Sequence, residues 1–127
     1  MRKEAERLFL QARRDLRNAR KNIGIQAYEV TAFLSHQATE KYLKAAWIER
    51  RRARPPATHY LRELGQGLRA PRRILAQLLF LNPDYMVARC PDAANGVPYE
   101  LYDEKTAQAK VRAAEVVARW GESLIRS

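Results

Sequence analysis

All six prolines of the chain, at positions 55, 56, 71, 83, 91 and 98, fall in one central stretch, and residues 1–54 and 99–127 have none. Proline removes a backbone donor and its ring clashes with the preceding turn, so it ends or kinks a helix. Two proline-free flanks around a punctuated middle therefore predict long helices at both ends. The apolar spacing agrees. Ala5, Leu8, Phe9, Ala12, Leu16, Ala19 and Ile23 follow a helical stripe, which predicts a helix from about Arg2 to Lys21, stopped by Gly24. A second helix is expected from about Gln26 to Arg52. Its apolar residues, from Ala27 and Val30 to Trp47 and Ile48, cover more than one face, so it sits centrally or lines an interface. Thr58 is expected to cap a short helix that buries Leu61, Leu64 and Leu68, and Pro71 to lie in the first turn of a fourth helix ending near Asn82-Pro83. Residues 83–102 are expected to form a long irregular loop. Asp103 then caps a last helix running to about Ile125. No strand pair is visible, because Asn95-Gly96 lacks alternating flanks. The expectation is all-α: one domain over residues 1–127, an antiparallel up-and-down bundle of four to five helices.

A chain of 127 residues is long enough for one core without covalent staples. The single cysteine, Cys90, excludes an internal disulfide and a Cys-rich zinc site, and it reads as a buried thiol. Two histidines without a third convergent ligand predict no metal site, and no cofactor is expected. The longest apolar run, Ile74 to Leu81, is far too short to span a bilayer, so no membrane partner is expected. The charged, helix-patterned start does not read as a signal segment. A soluble, cytoplasmic protein is expected.

The net charge of +10 is one-sided: residues 1–73 hold 18 basic and 7 acidic side chains, residues 74–127 hold 6 and 7. Such a field favours anionic partners: nucleic acid, nucleotides or an acidic protein. The alternative is a solvated, ion-paired surface, since 18 of the 24 basic residues are arginine.

Three segments carry a family resemblance. The second helix reads Ser35-His36-Gln37-Ala38-Thr39-Glu40-Lys41-Tyr42-Leu43-Lys44-Ala45. Thr58-His59-Tyr60-Leu61-Arg62-Glu63-Leu64 follows, and then Ala88-Arg89-Cys90-Pro91-Asp92-Ala93 with Pro98-Tyr99-Glu100. In this order they resemble the HEPN family of small helical bundles, with a departure at Cys90, where the family usually has Tyr. The resemblance implies an antiparallel bundle that pairs as a homodimer. It also implies association with nucleotides or RNA, and action alongside a small nucleotidyltransferase partner that this chain does not itself contain. One branch of the family consists of metal-independent ribonucleases and toxins.

Gln37, Glu40, Lys41 and Lys44 stack on one side of the second helix, and Glu40 precedes Lys44 in the favourable ion-pair order. They read either as a polar cleft, with a lysine on a phosphate, or as a structural salt-bridge face. His59 and Arg89 complete the expected anion site, placed between the second helix and the 83–102 stretch. Tyr85, Tyr99 and Tyr102 flank Arg89 and suit either base stacking or packing. Arg54 and His59, with four residues between them, match the ribonuclease branch in spacing. Arginine is frequent enough for such a pair to arise by chance, and Pro55-Pro56 fills its interior. The leading expectation is a non-catalytic binding module for nucleotide or RNA. A ribonuclease using Arg54 and His59, and a purely structural homo-oligomer, are the alternatives.

Overall fold

The computed structural model describes residues 1–126. Among them the chain forms α1 (Lys3–Ile23), α2 (Tyr28–Arg51), α3 (Leu61–Gly67), α4 (Arg72–Leu81), α5 (Asp84–Val87), α6 (Pro91–Ala94), a 3-10 turn over Pro98–Glu100, and α7 (Glu104–Arg126), with no strand. α1 and α2 are an antiparallel hairpin. The Arg2 backbone N–H donates to Glu49 Oε2 at 3.0 Å at one end, and Thr31 Oγ1 donates to the Ala19 carbonyl at 2.7 Å at the other. The reversal differs from expectation. Gly24 stays right-handed at φ −63°, and the left-handed residue is Gln26 at φ 61°. Because the bend falls there, α1 continues to Ile23 and α2 starts at Tyr28.

α7 runs antiparallel to α1: Arg20 pairs with Glu115 at 2.8 Å, and Ile125 packs beside Ala5. The core between the helices holds Leu16, Leu43, Leu61, Leu64, Ile74, Leu78, Leu81 and Val117, with Ala12, Ala19, Ala38 and Ala114 allowing close approach. Burying each large apolar side chain contributes about 1.5–3 kcal/mol before the entropy cost. α2 is central, as its apolar pattern predicts. It also buries Thr31, Ser35 and Thr39; the Ser35 and Thr39 hydroxyls donate to the carbonyls of Thr31 and Ser35 within the helix, and Thr31 donates across to α1, so the polar row is satisfied. Gly67 lets α3 approach α2: a Cβ there would lie 2.1 Å from the Trp47 ring.

Four local expectations are corrected. Thr58 does not cap α3; its Oγ1 accepts from Tyr60 N–H in a local turn, and the first helical N–H, of Leu61, is taken by Asn82 Oδ1 at 2.9 Å. Pro71 is the residue before α4, and its carbonyl accepts from Ile74 and Leu75. Residues 83–102 are not irregular: Pro83 precedes α5, and Pro91 and Pro98 open α6 and the 3-10 turn. A proline's fixed φ suits the first helical position and its missing donor is not needed there, so these prolines start turns as well as end helices. Cys90 is the residue before α6 and is half-buried rather than buried. Asp103, as expected, caps α7, with Oδ1 accepting from Thr106 N–H at 2.7 Å.

α5 is held down by a buried polar group. Tyr102 donates to Asp84 Oδ1 at 2.6 Å, and Lys110 Nζ lies 2.8 Å from Asp84 Oδ2 while donating to the Phe80 carbonyl. Burial pushes the Asp84 carboxyl upward, against the pull of Lys110 and Tyr102. No helix among the described residues is long and apolar enough to cross a membrane.

Candidate functional site

α2 turns Phe33, His36, Gln37, Glu40 and Lys44 toward the 57–60 segment and α5. Tyr85, the second residue of α5, is the centre of the arrangement. The His59 ring stacks on it at 4.0 Å and 14°, and the Arg89 guanidinium lies 4.4 Å from its centroid and 4.7 Å from that of Phe33. Arg89 is fixed by its Nε, which donates to the Tyr85 carbonyl one turn back at 2.8 Å. A cation flat on aromatic rings keeps its charge while losing little mobility on binding.

His59 is half-exposed and its Nδ1 lies 2.9 Å from Glu40 Oε1. A carboxylate only accepts, so this contact assigns the proton to Nδ1 and leaves Nε2 available to a ligand. Glu40 Oε2 accepts from Lys44 Nζ at 3.0 Å. Burial alone would raise the Glu40 carboxyl, but the hydrogen bonds from His59 and Lys44 outweigh it and hold the group below its ordinary range. His36 is fully buried. Its Nε2–H donates to the His59 carbonyl at 3.1 Å and its Nδ1 accepts from Gln37 Nε2 at 3.3 Å. Burial pushes it down to about 4, so it is neutral at pH 7 and acts as a latch between α2 and the 57–60 segment.

The structure thus brings Gln37, Glu40, Lys44, His59 and Arg89 into one network around Tyr85. Lys41 is not part of it: it points to α1 and pairs with Asp15 at 2.7 Å. Arg54 lines a separate shallow groove with Arg2 and Glu4. Beside His59 a groove of about 360 Å³ is lined by Ala57, Thr58, Tyr60, Asn82, Tyr85 and Met86, with Tyr60 68 % exposed at its rim. Two features escaped sequence reasoning. The role of Phe33 beneath Arg89 has a weak signal, an aromatic on the more polar side of α2. The Asp84–Tyr102–Lys110 group joins Asp84 to residues 18 or more positions away, with no local pattern to mark it. No group of three or more His, Cys, Asp or Glu able to hold a metal ion occurs among the described residues.

An all-helical hairpin-built bundle that carries a polar His–Glu–Lys row on its central helix defines the class. The sequence profile of the HEPN domain matches residues 5–124, and the chain belongs to the HEPN domain family. Two solved structures share the fold. ST0689, described as an archaeal HEPN homologue, is 31% identical with a TM-score of 0.83, covering 98% of this chain and 99% of that one. TT1696 from Thermus thermophilus is 23% identical with a TM-score of 0.87, covering 97% and 99%. No curated protein matched the sequence.

Proposed function

We propose that this HEPN domain is a non-catalytic cytoplasmic module that binds a nucleotide or RNA through the His59–Tyr85–Arg89 face, as a homodimer acting with a nucleotidyltransferase partner. The observation that carries the reading is the stack of Arg89 on Phe33 and Tyr85 with His59 on the same tyrosine. A fixed guanidinium suits a phosphate, and the exposed Tyr60 at the rim of the groove suits a base. The basic excess of residues 1–73 supplies the long-range attraction. The non-catalytic reading is supported by Arg54 and His59 lining different grooves. The dimer is supported by α4, which leaves Leu79 65 % and Phe80 41 % exposed. The test is incubation of the purified protein with RNA in the absence of metal. RNA is expected to be retained intact, with retention weakened by Arg89→Ala. Cleavage that His59→Ala abolishes would overturn the reading in favour of a ribonuclease.

A further inference from the structure

On another face, α1 and α7 leave a groove of about 270 Å³ that shares no residue with the His59 groove. Arg13, Arg17 and Arg20 reach it from α1 and Arg119 from α7, while Glu115 and Glu122 are its carboxylates. Arg20 is committed to Glu115, with Nη2 and Nε at 2.8 and 3.2 Å from the same oxygen. Arg13 lies over the Phe9 ring at 5.6 Å, which positions its charge without cancelling it. Arg17 and Arg119 are exposed and make no ion pair among the described residues. Setting the Arg20–Glu115 pair aside, three guanidiniums face one carboxylate, a net of +2.

The floor of the groove adds an independent observation. Tyr42, from α2, is only 2 % exposed, packs edge-on to Phe9 at 5.8 Å, and lines the groove. Its hydroxyl has no hydrogen-bond partner among the described residues. The hydroxyl tip of this otherwise buried ring opens onto the groove, where it is free to donate to a ligand in place of water. Burial pushes this phenol up to about 12, with Glu122 adding to the rise and Arg13 and Arg20 opposing it, so it remains a neutral donor at pH 7.

We infer that this groove is a second anion site that takes a phosphomonoester, gripped by Arg13, Arg17 and Arg119 from the rim and by the Tyr42 hydroxyl from the floor. Guanidinium forks match phosphoryl oxygens in pairs. A phosphomonoester carries about −1.5 to −2 near pH 7, which the net charge of the groove offsets, whereas a backbone phosphodiester carries about one negative charge and fewer free oxygens. The groove is also small by the standard of ligand pockets, which favours one phosphoryl group with its sugar over a long polymer segment.

The test is isothermal titration calorimetry in an Arg89→Ala background, which removes the proposed His59–Arg89 face from the reading. 5′-AMP is run against adenosine, and a 5′-phosphorylated tetraribonucleotide against its 5′-hydroxyl counterpart. A preference for the phosphorylated member of either pair supports the site and names its source as free nucleotide or RNA end. Adding Arg17→Ala/Arg119→Ala is expected to weaken that binding by tenfold or more, and Tyr42→Phe, which keeps the packing, by severalfold. No preference in either pair, or a preference that both variants leave unchanged, would overturn the inference. Circular dichroism of each variant confirms that it is folded before titration.

Discussion

Acidification unlatches the segment ahead of α3 through one side chain, His36. In the neutral form both its ring nitrogens are satisfied, Nε2–H donating to the His59 carbonyl and Nδ1 accepting from Gln37. Protonation would place a positive charge inside a site with no exposure to water. Burial lowers this histidine from 6.5 to about 4, against the opposing pull of Glu40. The folded-state value lies below the unfolded one, so between them the unfolded chain binds more protons and stability rises with pH. The contribution is complete above about pH 6.5 and is lost as pH falls toward 4. At about 1.4 kcal/mol per unit, the gap corresponds to about 3 kcal/mol. Glu40, held below its ordinary range, adds a loss of the same sign further into acid. Asp84, raised by burial, works the other way. Both remain in His36→Gln, so the difference between the two proteins isolates the histidine. Urea unfolding at several values from pH 7 to pH 4 is the assay. The native protein should lose about 3 kcal/mol more than His36→Gln over that range. Parallel stability curves would refute the argument.

Further consequences concern the frame around the site. Lys110→Met should cost about 3–5 kcal/mol in urea unfolding, because it strands the buried Asp84 carboxylate; a loss under about 1 kcal/mol would mean the pair behaves as a surface one. Gly67→Ala should lower the thermal midpoint and shift tryptophan fluorescence, since its Cβ meets the Trp47 ring at 2.1 Å. Light scattering should show a dimer that Leu79→Glu/Phe80→Glu disrupts; a monomer alone at tens of micromolar would remove the homodimer from the account.

The long helices were legible because their signal is periodic and local: the stripes of α1 and α7, and the absence of proline, depend on neighbours within two turns. The 83–102 stretch was not, because proline reads equally as a breaker and as a first helical residue, and only the Asp84–Tyr102–Lys110 contacts decide that α5 docks. The site divides in the same way. Gln37, Glu40 and Lys44 share a face by spacing alone, but Lys41, one residue from Glu40, is drawn away by Asp15 on another helix. That pairing has no trace in the local sequence. His59 was legible as a residue near the start of α3, yet its partners, Glu40 and Tyr85, come from elements fixed only by the tertiary fold.

The central claim is that the Arg89–Tyr85–His59 face binds phosphate-bearing ligands, and an anisotropy titration of a short labelled RNA tests it most directly. The titration is run at about 50 and about 200 mM salt on the native protein and on Arg89→Ala. If several phosphates are contacted, the native affinity falls more than about tenfold across that range. Arg89→Ala should bind more weakly and show a shallower salt dependence, because one fixed cation no longer displaces counterions. Binding that is absent at low salt, or that neither salt nor Arg89→Ala alters, would contradict the account.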